Sequence, residues 1–345
     1  MEAASFMDRI EIFTRTLLHP FDRIRWWVLK SLGRPVLPLV RQRDLRVVVS
    51  GLFTLVIAFA LTLAGPFWLL AIGPIIWGIP HLLADLRYLV VRPGLHRQRL
   101  WWLFVAVPLV VAGLGYYPMI SGFIAVGAIA VITQGRIWKK AAVLTVAVIL
   151  SIAAVRTGNL SMIIFAHAHN FIAVLLWWFW RPRPRPRHAI VPALFLILGA
   201  LLLFGVFVPN LPGNEALPTG LRSGDHLASL APGLNEPWGL RLVILFAFAQ
   251  TVHYGVWLRL IPEEDRNQST PRPFSASARA LLRDMGAPLL IATLLFSIVL
   301  AGWAVFDLFA ARSTYLRMAL FHGYMELSAA AFLFVKGGFP KGAES

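Results

Sequence analysis

The chain has 345 residues, 58% of them hydrophobic and only 14% charged, with a mean hydropathy of +0.72, which is too apolar for a soluble domain of this length. Its 32 basic residues against 16 acidic ones would suit nucleic acid in a soluble protein, but in an apolar chain they point to loops facing anionic lipid. The absence of cysteine excludes disulfides, thiolate metal ligands, iron–sulfur clusters and thiol nucleophiles.

Residues 1–46 precede the first continuous apolar stretch, so no cleaved signal peptide is expected there. Phe6, Ile10, Phe13, Leu17, Phe21, Ile24 and Val28 recur at three- and four-residue steps, with Arg9, Arg15, Arg23 and Arg25 between them. That pattern predicts an amphipathic helix lying in a membrane interface.

Cutting the remainder at Gly/Pro pairs and charge clusters leaves apolar segments near 47–64, 67–91, 100–117, 119–134, 141–155, 160–180, 189–208, 240–261, 286–306 and 313–335. A spanning helix needs roughly 20 such residues. The expected fold is therefore an all-α, polytopic transmembrane helix bundle of about ten spans, or eight to ten because the fourth and fifth segments are short. It forms a single transmembrane domain, 47–335, followed by a short tail, 336–345. Threading it from a cytoplasmic N-terminus returns the C-terminus to the cytoplasm. Of the basic residues, only Arg156, Arg222, Arg241, Arg312 and Arg317 then fall on the other side. This asymmetry follows the positive-inside rule and points to an inner, cytoplasmic membrane. It also argues against nucleic acid as a partner.

Two connections stand apart. The run "RPRPRPR", 181–187, alternates fixed-φ prolines with arginines and predicts an extended strap at phosphate level. Segment 209–239 is rich in Pro and Gly and long enough for a lid, and its His226 is expected to be a solvated loop histidine.

Five histidines, His81, His167, His169, His253 and His322, fall inside apolar segments. Each has a polar companion at helical spacing, which shares its helix face: Asp85 follows His81, Asn170 follows His167, Gln250 precedes His253 and Glu326 follows His322. Offsets from Arg92, Arg181, Pro262 and Lys336 put His81, His169, His253 and His322 roughly 13 to 21 Å from the inner boundary of a core about 30 Å thick. All four helices run the same way. A lone intramembrane histidine often does no more than bond two helices together. Several at one depth, with no lysine in the spans, point instead to a functional interior.

Neutral imidazole is the commonest metal ligand, and a coordinating ring donates its other N–H to a carboxylate or carbonyl. The candidate ligands are His81, His169, His253 and His322, with His167 as an alternative. Asp85, Glu326, Gln250 and Asn170 are the candidate groups orienting them. An all-imidazole site suits iron, copper or zinc. The preferred reading is Fe(II) carrying out dioxygen chemistry on an apolar substrate within the lipid.

The stretch "GIPHLLADLRYLV" resembles the Gly-x-Pro-His-x-x-x-Asp motif of the Brp/Blh-like integral-membrane β-carotene 15,15′-dioxygenases, matched by Gly78, Pro80, His81 and Asp85. "AHAHNF", 166–171, is similar to the family's His-Phe-Gly element, with Asn170 and Phe171 after His169. "AQTVHYGVW" resembles a paired-histidine element, with Ala249 where the first histidine would stand. His322 is read as supplying the missing ligand. The resemblance covers these three patches and implies a polytopic fold whose intramembrane histidines hold a non-haem iron that cleaves the central double bond of a carotenoid.

Two other readings fit the same residues. A proton-coupled transporter or channel would rely on the histidines with Asp85, Glu326 and Asp307. A b-type haem protein would use two of the histidines as axial ligands. The substrate and the oligomeric state are not legible.

Overall fold

The computed structural model describes residues 2–181, 186–207, 222–266 and 268–337, and every regular element among them is helical. In chain order the helices are α1 (Glu2–Leu32), α2 (Arg43–Ala64), α3 (Pro66–Val91), α4 (Arg99–Gly113), α5 (Pro118–Ile132), α6 (Ile137–Thr157), α7 (Asn159–Phe179) and α8 (Arg187–Leu203). They continue with α9 (Ser223–Leu230), α10 (Trp238–Glu264), α11 (Phe274–Met285), α12 (Ala287–Phe306) and α13 (Leu308–Lys336). Seven of them, α2, α3, α6, α7, α10, α12 and α13, are long and apolar enough to cross a membrane, while α4, α5 and α8 are apolar but shorter. Most of the proline strap, the first part of segment 209–239 and most of the tail lie outside the described residues.

Burial orders the bundle. In α10, 72% of the most apolar stretch is buried against other helices, and in α13 61%, whereas α6 and α12 bury 11% and 6%. Helices α10 and α13 are therefore central. Helices α6 and α12 present apolar side chains such as Val155 and Phe306 outward, where only lipid would cover them. Around the centre, Trp177, Trp257, Phe195 and Phe248 are wholly buried. Phe195 stacks on Phe248, and Trp180 meets Trp257 edge to face.

Helix α3 carries Pro74 and Pro80 internally, and each proline removes one N–H from the backbone ladder. After Asp85 the helix widens into a π turn, Leu86–Val91. Helix α10 does the same over Val256–Leu260, three residues past His253. Such turns re-aim side chains and recur at functional sites.

One end of the bundle is tied by charge. Arg46 pairs with Glu263, Arg87 Nη2 lies 2.7 Å from Asp284 and Arg92 Nε 2.6 Å from Asp265. Arg181 donates to the Arg266 carbonyl. The segments bearing Arg46, Arg92, Arg181 and 262–285 thus meet at one face. Helix α1 docks there as well, because Asp22 accepts from Phe274 N–H at 2.6 Å and from Ser275 Oγ at 2.6 Å. Burial works against the Asp22 carboxylate, but the hydrogen bonds from Ser275 and Phe274 outweigh it and hold its pKa below the usual value. Phe13, Leu17, Phe21 and Ile24 of α1 stay more than half exposed, an apolar stripe suited to an interface.

His226 corrects the expectation of a solvated loop. It sits on α9, is wholly buried, and stacks on Phe67 with ring centroids 5.5 Å apart. Burial, with Arg312 nearby, lowers its pKa to about 4.

Candidate metal centre

Four helices bring one imidazole each to the middle of the bundle: His81 from α3, His169 from α7, His253 from α10 and His322 from α13. Going round, the ring centroids are 5.3 Å apart for His81 and His253, 5.1 Å for His253 and His169, 5.2 Å for His169 and His322, and 4.9 Å for His322 and His81. The rings close a circuit, and His253 and His322 face across it at 5.9 Å. Close approach of α13 to α7 depends on Gly323, whose Cβ would lie 3.0 Å from Phe165 and 3.5 Å from His169 Cβ.

The hydrogen bonds of the rings select one nitrogen. His81 Nδ1 donates to the Trp77 carbonyl (3.3 Å), His169 Nδ1 to Ala166 (2.7 Å) and His322 Nδ1 to Ala319. A carbonyl can only accept, so Nδ1 carries the proton and Nε2 is the atom left for a ligand. Buried Nε2 of His81 and of His322 and both nitrogens of His253 have no hydrogen-bond partner among the described residues.

Two carboxylates complete the cluster. Asp85 Oδ2 is 3.9 Å from His81 Nε2, and Glu326 Oε1 is 3.4 Å from His253 Nε2 without the alignment of a hydrogen bond. Glu326 Oε1 accepts from Trp257 Nε1 at 2.7 Å. Both Asp85 oxygens and Glu326 Oε2 lack partners among the described residues, and both residues are wholly buried. A buried polar group left unsatisfied costs about 1–3 kcal/mol, so this many orphans in one cluster fit a bound cation. Ligand atoms of His81, His253 and His322 lie within 4.8 Å of one another, as do those of Asp85, His322 and Glu326. With metal–nitrogen bonds of about 2.1 Å, ligand atoms stand about 3–4 Å apart. The donors of His81, His253 and His322 therefore fit a metal after small side-chain adjustments, whereas His169 belongs to neither group and would have to move further to join them.

The remaining candidates fall nearby but differently. His167 is two residues from His169, on another face of α7. Its Nε2 bonds the Leu230 carbonyl at 2.9 Å and its ring packs on Phe246, so it ties α9 to the bundle outside the circuit. Asn170 is wholly buried, and its Nδ2 reaches the Ala166 carbonyl at 3.4 Å. Gln250 and Asn170 both border a cavity of about 180 Å3 that opens beside His81, His169, His253 and His322.

Sequence reasoning missed several neighbours. Trp257, four residues after His253, anchors Glu326. Tyr254, next to His253, places its ring 4.8 Å from that of His81. Tyr315 closes over Gly78, where a Cβ would overlap its phenol. That contact gives the first glycine of the "GIPH" stretch a steric reason. Spacing along one helix correctly aligned Asp85 with His81. It could not reveal that Glu326 faces His253 on another helix.

Comparison with family models, with curated proteins and with solved structures finds no match for this chain.

Proposed function

We propose that the protein is an integral-membrane metalloenzyme, a non-haem iron oxygenase in which His81, His169, His253 and His322 hold Fe(II) and an apolar, carotenoid- or lipid-like substrate is oxidised by dioxygen. The observation that carries this reading is the closed circuit of four imidazoles, three of them with Nδ1 engaged by a carbonyl so that Nε2 remains for a ligand. Such a donor set also suits copper or zinc. Iron is preferred because the resemblance at Gly78, Pro80, His81 and Asp85 implies it.

When bound, the iron would supply the activation of dioxygen. The chain's own residues do the rest. Asp85 and Glu326 would offset the positive charge of the metal, the Trp77, Ala166 and Ala319 carbonyls fix three of the imidazoles through Nδ1, and Trp257 holds Glu326 in register. Met162, Phe165 and Phe246 line the cavity and exclude water from it. Cleaving a C=C bond with one oxygen atom delivered to each carbon balances without an external reductant. The resemblance at Gly78, Pro80, His81 and Asp85 supports the same reaction class.

The topology proposed with this function has ten crossings, with α4, α5 and α8 among them, and both termini on the cytoplasmic side of the inner membrane. The cluster of arginines at one end of the bundle supports it. Purified protein in lipid nanodiscs, given ferrous iron and a carotenoid or unsaturated lipid, should consume dioxygen, and a strong chelator should abolish the uptake. Uptake indifferent to chelation would overturn the reading.

A second reading, proton-coupled transport, is favoured by one observation: the close approach of the Asp85 and Glu326 carboxylates, with both Asp85 oxygens and Glu326 Oε2 unpartnered among the described residues. Chelator-resistant proton flux into proteoliposomes, lost in D85N, would support it.

A further inference from the structure

The cavity beside the four histidines has a second polar feature, Arg312 on α13. Arg312 is 7% exposed, and its Nε donates to the Leu70 carbonyl of α3 at 2.7 Å. Among the described residues no carboxylate lies within ion-pair distance of its guanidinium. The Asp225 carboxylate on α9 acts on it only from beyond contact, and a buried guanidinium with no carboxylate in contact is expensive. Three residues on, and so on the same helix face, Tyr315 borders the same cavity with its hydroxyl buried and unpartnered.

Depth ties these groups to the membrane. Arg312 precedes His322 on α13, and Leu70 precedes His81 on α3, by spans that rise about 15 Å and about 16 Å along the helix. Two helices thus agree that Arg312 lies about 15 Å from the imidazole level, away from the arginine-rich end of the bundle. With the imidazoles near the middle of a core about 30 Å thick, Arg312 reaches the level of the opposite interface. It is nevertheless walled in by protein.

We propose that this pocket binds an anionic amphiphile: its carboxylate or phosphate head is held by Arg312, and its chain runs inward along the cavity, past Tyr315, toward the four histidines. The proposal rests on the oxygenase reading for what happens to the chain, but the binding itself does not need a metal. It narrows the substrate from any apolar molecule to one with an acidic head about 15 Å from the reacting atom. A pure hydrocarbon would leave the guanidinium with no anion in contact. An acid-headed lipid entering from that leaflet keeps its head at interface depth while its chain reaches the midplane.

The test uses tag-free protein in detergent, a long-chain fatty acid carrying a mid-chain photoreactive diazirine, and its methyl ester. The acid should label the protein saturably, on peptides of α7, α10 and α13, with an apparent affinity about tenfold or more above that of the ester. R312Q should remove that difference, and R312K, which retains charge, should restore part of it. Competition by lysophosphatidate would assign a phosphate head, and competition by unlabelled fatty acid alone a carboxylate. Equal labelling by acid and ester in the wild type would overturn the proposal and leave Arg312 as a helix-bonding residue; this arm needs no variant to fold. Wild-type protein stripped of metal by chelation should bind the acid as the metal-loaded protein does. Failure of the metal reading is thereby separated from failure of this one.

Discussion

Trp257→Phe isolates the contact that positions Glu326. The indole Nε1 donates to Glu326 Oε1 at 2.7 Å, and both side chains are wholly buried. A hydrogen bond between neutral groups contributes about 0.5–1.5 kcal/mol, and the smaller ring leaves a void worth about 1 kcal/mol more. Substituting Trp257 should therefore destabilise the protein by about 1.5–2.5 kcal/mol. In a Glu326→Leu background only the void remains, so the same substitution should cost about 1 kcal/mol. The difference, about 0.5–1.5 kcal/mol, is the coupling energy of the pair. Equilibrium unfolding of the four proteins in mixed micelles measures it. A second assay, metal affinity by chelator competition, should show W257F weakened about tenfold to a hundredfold, as expected when a partner of a ligand-orienting group is lost. An equal cost of W257F in both backgrounds would refute the assigned contact.

Other outcomes follow from the same geometry. His167→Ala should leave the metal content of the purified protein unchanged while speeding hydrogen exchange in α9, because His167 Nε2 holds the Leu230 carbonyl and stands outside the ring circuit. Gly78→Ala should destabilise by about 1–3 kcal/mol in an unfolding assay through overlap with Tyr315, and Tyr315→Leu in the same chain should relieve most of that. His226 has its folded pKa lowered to about 4 by burial and by Arg312, so the unfolded chain takes up its proton first. Stability should fall as pH drops from about 6.5 toward 4, with α9 loosening first in hydrogen exchange, and H226F should blunt the effect.

Hydropathy alone exposed the helical bundle, because a chain in lipid must satisfy its backbone internally. That His81, His169, His253 and His322 share one level of the bundle was equally legible, since rise per residue converts sequence offset to height. Azimuth between helices was not. Which carboxylate meets which imidazole depends on packing between α10 and α13, so Glu326 was matched along its own helix to His322 while it also faces His253. Arg312 read as an outer-loop charge, yet it is buried on a helix that begins at Leu308 rather than near 313. His226 read as solvated because Pro and Gly surround it, but a short amphipathic helix carries it under Phe67.

The central claim is that His81, His169, His253 and His322 hold one metal. Elemental analysis of protein purified in detergent without a polyhistidine tag, alongside H81A, H169A, H253A and H322A, tests it directly. The wild type should carry near-stoichiometric iron and each variant should lose it, with helix content retained by circular dichroism. Folded wild-type protein that takes up no metal from a ferrous solution, or a full metal complement in H81A and H253A, would contradict it.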